Sequence, residues 1–153
     1  MVRARFSMTI HLVKIAVGIE SVDHLREIQI ERLRKAREKH KSADLRHLTR
    51  NSPKRAEEVL DNGSIYWIIK GYIRVRQRIN DFSEAVDRNG KRRCALILDT
   101  NLVQTVLLPH KPIQGWRYME VDVAPADLTT AECKKVSSLP QDMADELRSL
   151  GLL

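Results

Sequence analysis

The stretch GSIYWIIKGYIRVRQRI, residues 63–79, decides how this chain folds. From Ser64 it is apolar on both sides: Ile65, Trp67 and Ile69 fall on one face of an extended segment, Tyr66, Ile68 and Lys70 on the other. That reads as a buried strand, stopped or bent at Gly71. Beyond the glycine, Ile73, Val75, Gln77 and Ile79 alternate with Arg74, Arg76 and Arg78. A second strand is therefore expected to carry three arginines on one face, about 7 Å apart. Such a row repels itself unless acidic neighbours or an anionic ligand lie among the charges. Asp81, Glu84 and Asp87 are near enough in sequence to be those neighbours.

Working towards the C-terminus, Asp87-Arg88-Asn89-Gly90 contains the Asn-Gly step of a tight hairpin, and residues 91–98 form the return strand. Gln104–Leu108 reads as a separate strand, followed by the stiff Pro109-His110-Lys111-Pro112 and a last short strand over Gly115–Met119. Residues 120–127 read as loop. A helix over 141–150 places Met143, Leu147 and Leu150 on one side and ends at Gly151.

Towards the N-terminus, Ser52, Pro53 and the pair Val59-Leu60 suggest a short helix that ends at Asn62-Gly63. Lys54 and Arg55 would occupy its first turn, just after Arg50. Cations at the positive end of a helix dipole are unfavourable unless an anion is near, so this turn reads as a phosphate or carboxylate site, or as one neutralised by Glu57 or Glu58. Before it, Ser21 offers an N-cap to a helix running to about Lys41. Val22, Leu25, Ile28, Leu33 and Ala36 form its apolar stripe, and Glu27, Glu31, Arg34 and Glu38 lie opposite. Thr9–Val17 alternates in part and reads as the first strand, ending at Gly18. Strands grouped in the middle with helices towards both ends imply an α+β domain with a curled, mainly antiparallel sheet or a small barrel with flanking helices. Residues 8–153 are expected to form one domain, and residues 1–7 a basic extension.

At 153 residues and a net charge of +7, the chain suits one domain and an acidic partner. The charge is uneven: residues 1–119 hold 24 basic and 13 acidic side chains, residues 120–153 hold 3 and 7. Cys94 and Cys133 are far apart and fit no metal or redox spacing, and the five histidines lack a local ligand pattern. No metal and no cofactor are expected. The two unpaired-looking cysteines suit a reducing, cytoplasmic setting, and the longest apolar runs are far short of the roughly 20 residues that cross a bilayer, so no membrane partner is expected. No nucleotide-binding glycine motif and no nucleophile elbow occurs. Asp44, His47 and Thr49 are the nearest approach to a reacting group and its base. Trp67 beside Lys70, and Trp116 beside Arg117, read either as core or as a platform where a base stacks while its phosphate meets a cation.

The stretches HLTRNSPKRAEEVLDNGSIYWIIKGYIRVRQRI (47–79), RRCALILD (92–99) and PIQGWRYM (112–119) resemble an alphaproteobacterial family of unknown function, over nearly the whole chain from Met8. An Arg50-Asn51 step before a helix, then Arg55, Gly63 and the strand at 65–70, is similar to the PUA-like superfamily, including EVE and ASCH domains. That resemblance implies a small curled barrel with flanking helices and RNA or modified bases as ligands. The early Trp of EVE domains is missing here, so no modified-base pocket is carried over. The expectation is an RNA-binding protein that grips phosphate with Arg50, Lys54, Arg55, Lys70, Arg74, Arg76, Arg78 and Arg117, with Trp67 or Trp116 as stacking surface. Two alternatives stand beside it: a small hydrolase or transferase for an anionic small molecule, with Arg50 and Lys70 binding and His47 or Thr49 reacting, and a protein-interaction module.

Overall fold

The structure is a computed structural model and describes residues 9–39 and 44–129. The basic extension at 1–7 and the helix expected over 141–150 lie outside the described residues. In chain order the elements are β1 (Ile10–Ile15), α1 (Val22–Lys39), β2 (Leu45–Thr49), α2 (Ala56–Leu60), β3 (Ser64–Ile69), β4 (Tyr72–Val86), β5 (Arg92–Pro109) and β6 (Trp116–Glu120), with a 3-10 turn at Val121–Val123. The strands form one open sheet in the order β2-β5-β4-β3-β1-β6. β1 runs parallel to β3 and the other pairs are antiparallel. A parallel pair needs a long crossover, which α1, β2 and α2 supply. The class is therefore α+β, with a mixed, mostly antiparallel sheet and flanking helices.

Between β3 and β4, Lys70 and Gly71 both take positive φ, 53° and 82°, the requirement of a two-residue type I′ hairpin, so the chain reverses there. β4 and β5 are the long strands. The two strands expected over 91–98 and 104–108 are one, because the polar Asp99-Thr100-Asn101 stays extended and β4 absorbs the irregularity in register shifts near Ile73, Gln77 and Ile79. Each such shift bends a strand and adds twist. The bends curl the sheet until its two edges approach: the Trp116 indole N–H donates to the Asn51 carbonyl at 3.0 Å, and the Arg55 backbone N–H donates to the Tyr118 hydroxyl at 3.0 Å. β2 and β6 do not pair. The segment just after β2 spans the gap instead.

The inner face of the curl carries Leu12, Ile65, Trp67, Val75, Leu96 and Leu98, covered by Leu25 of α1 and Val59 of α2. A smaller cluster of Val13, Tyr66, Ile68, Ile73 and Met119 lies on the other face. α1 starts as expected, with the Ser21 hydroxyl accepting from the His24 N–H at 3.0 Å. On its outer side Arg34 joins Glu31 and Glu38. Its buried Gln29 is satisfied by two amide bonds to Gln77 of β4, at 2.9 and 2.8 Å. Gly63 sits where α2 meets β1: a Cβ there would stand 2.6 Å from the Ile10 carbonyl oxygen and closer still to that of Val59.

Two expectations about local structure are corrected. Ser52 and Pro53 do not open the second helix, which is only five residues long, has Arg55 at its N-cap position and carries Glu57 and Glu58 in its first turn. Arg74, Arg76 and Arg78 do not share one face. The register shift at Ile73/Val75 places Ile73 and Val75 in the two different core clusters, and Arg74 is buried against the hairpin carbonyls of Ile69 and Lys70. No helix among the described residues is long and apolar enough to cross a membrane.

Candidate functional site

The gap between the edges of the sheet is a cleft of ≈ 1120 Å³. One wall comes from the end of β2 and the residues that follow it, Leu48 to Arg55, and the other from Gln114 to Tyr118 and from Lys14 of β1. Four cations line it, Lys14, Arg50, Lys54 and Arg55, and no carboxylate does. Of these, Arg55 is paired, with Glu58, and its guanidinium lies 5.4 Å from the centre of the Tyr118 ring. Trp116 and Tyr118 meet edge to face, centroids 4.9 Å apart. Since the Trp116 N–H is already bonded to Asn51, that ring offers a ligand stacking area and no hydrogen bond.

Lys14 is the residue that sequence reasoning missed. It follows Ile10 and Leu12 on the inward face of β1 and stands opposite Trp67 of β3 on one side and Trp116 of β6 on the other. A lone lysine on the buried face of an otherwise apolar strand was the available signal. Burial holds its ammonium below the usual lysine range.

β2, which sequence reasoning did not assign, turns Leu45, His47 and Thr49 inward. His47 therefore lies inside the curl, edge-on to Trp67 with ring centroids 5.0 Å apart, and its Nε2 is buried without a hydrogen-bond partner. Burial, then the charges of Lys14 and Arg32, push its pKa down to about 4. It is neutral near pH 7. Thr49 Oγ1 donates to the Asn51 carbonyl at 3.0 Å.

The expected binding residues divide in two. Arg50, Lys54, Arg55 and Trp116 come together in the cleft. Trp67 is core, its indole N–H donating to Gln77 Oε1 at 3.1 Å. Arg74 is 2% exposed, donates to the Ile69 and Lys70 carbonyls and stacks on Tyr72. Arg76 forms a bidentate pair with Asp127, at 2.7 and 2.8 Å, from a segment expected to be plain loop. Lys70 pairs with Glu20 at the β3–β4 turn and does not line the cleft with Arg50, so the small-molecule arrangement that joined those two is not assembled. Arg78 and Arg117 are exposed, opposite Ser64 and Val13 in the ladders and thus on the outer face of the sheet.

Residues 12–153 match the model of a family described as protein of unknown function (DUF1489). Neither a curated protein nor a solved structure matches the chain.

Proposed function

The chain belongs to this DUF1489 family, which hands on no activity, and we propose from its own cleft that it is a small RNA-binding protein. One observation carries the reading: a wide cleft lined by Lys14, Arg50, Lys54 and Arg55 with no carboxylate, beside the Trp116–Tyr118 pair. Phosphates satisfy the cations and a base stacks on the indole, which is how single strands are held without reliance on base-edge hydrogen bonds. Arg74 and Arg76 are left out of the binding surface, because each already has its partners. The curled sheet with bridged edges and flanking helices supports the PUA-like relationship, and with it a protein that handles RNA; the resemblance to the family of unknown function is the support for an alphaproteobacterial, cytoplasmic protein.

Fluorescence anisotropy with short single-stranded RNA, duplex RNA and duplex DNA over a salt series tests this. Single-stranded RNA is expected to bind at micromolar concentration or tighter and to retain binding near physiological salt. Replacing Arg50, Lys54 and Arg55 together by Ala should lower the salt slope by about 0.7 for each phosphate that is no longer neutralised. A slope that does not move, or equal binding of every polyanion, removes the cleft from the reading.

A further inference from the structure

Behind the cleft, between α1 and the inner face of the sheet, lies a second, smaller cavity of ≈ 160 Å³. It shares one residue with the outer cleft, Lys14, and its walls divide by chemistry. Ile19, Leu25 and Leu98 make one side apolar, and Lys14, Arg32, Arg46 and His47 make the other hydrogen-bonding. No carboxylate lines it. The neighbouring polar groups are already used, since Trp67 and Gln29 both bond to Gln77. Lys14 and Arg32 have no ion pair or side-chain hydrogen bond among the described residues, and His47 Nε2 is the buried side-chain atom left unpartnered there.

An uncompensated cationic pole facing an apolar wall in a partly enclosed space defines its occupant. Water alone would fill about five positions, at roughly 30 Å³ each, and would leave the like charges of Lys14, Arg32 and Arg46 around the orphaned imidazole without a counter-charge. A phosphate would answer the charges but waste the apolar wall. A neutral molecule would do the reverse. We propose that this chamber is a binding site for a compact monocarboxylate of about butyrate size, its carboxylate held by Lys14 and Arg32 with His47 donating from Nε2, and its short chain packed on Leu25 and Leu98. The site meets the proposed RNA-binding cleft at Lys14 alone, and its occupancy requires no nucleic acid.

Sodium butyrate is titrated into the whole protein while the His47 ring signals and the Trp67 indole N–H are followed by NMR, with butyramide and inorganic phosphate as comparison probes. Butyrate is expected to move both groups of signals to saturation in the millimolar range or below. Butyramide and phosphate are expected to leave them in place. Arg32→Gln, on an exposed position of α1 where folding is not at risk, should weaken butyrate about tenfold, and Lys14→Gln by a similar factor. Absence of a saturable shift at about 20 mM butyrate, equal affinity in the Arg32→Gln protein, or equal response to phosphate or butyramide overturns the assignment. These outcomes are independent of the anisotropy experiment, so loss of the RNA reading leaves this one intact, and the reverse.

Discussion

Two clusters of basic residues, Arg74 to Arg78 in β4 and Arg50 to Arg55 after β2, look alike as text, and the fold treats them in opposite ways. In β4 the register shift buries Arg74 among carbonyls, and the segment after β6 supplies Asp127 to Arg76. After β2 the chain bridges the sheet's edges with its backbone and with Trp116 and Tyr118, so Arg50 and Lys54 reach the cleft with no ion pair among the described residues. The difference teaches that a run of cations stays open to an anion only where topology withholds counter-charges. Glu58 beside Arg55 shows that the second cluster is only partly free of them.

The contrast breaks most visibly at Arg74. Arg74→Met removes a guanidinium that is 2% exposed and strands the Ile69 and Lys70 carbonyls at the hairpin. A buried, charge-assisted set of this kind is worth about 3 kcal/mol when one side is deleted. Denaturant unfolding should report that loss, while the RNA salt slope stays at the wild-type value. A large change of slope in Arg74→Met would return β4 to the binding surface.

A second effect, of similar size but spread over pH, sharpens the other side of the contrast. The uncompensated charges of Lys14 and Arg32 add to burial in pushing His47 down to about 4, whereas an unfolded imidazole titrates near 6.5. The folded state thus binds fewer protons than the unfolded state between those values. Stability from this group is complete above about pH 6.5 and is lost as pH falls towards 4, to a total of about 3 kcal/mol. Comparing acid unfolding of the wild type with His47→Gln isolates it from His11, which burial and Arg76 also lower. Superimposable stability profiles from pH 7 to pH 4 would mean that His47 is neither desolvated nor facing uncompensated charge.

How much of this was visible in the sequence follows the same division. Alternation in 64–79, the Asn-Gly turn and the capped first helix were legible because each is a local rule, satisfied by neighbours in the chain. The cleft residues Arg50, Lys54, Arg55 and Trp116 were legible as types, yet their meeting depends on the curl. What was hidden is non-local: Asp127 finds Arg76 across 51 residues, and Lys14 gains its place from two ladders at once. β2 was missed because Leu45-Arg-His-Leu-Thr49 puts His and Thr on the inward face, so its alternation does not read as apolar and polar. Lys54 and Arg55 do not act through a helix dipole, for a different reason: α2 is too short to present that turn, and the cations matter through the cleft instead.

The smallest expected effect is the most discriminating. Arg50 and Lys54 are exposed and make no ion pair among the described residues, so the double change Arg50→Gln, Lys54→Gln removes little that holds the fold, and unfolding should shift by less than about 0.5 kcal/mol. The same protein should lose about 1.4 from its RNA salt slope, two phosphates at about 0.7 each. Stability and binding therefore separate at this site and at Arg74 in opposite directions. A destabilised double variant would show that the cations after β2 serve the fold as those of β4 do, and the contrast between the two clusters would collapse.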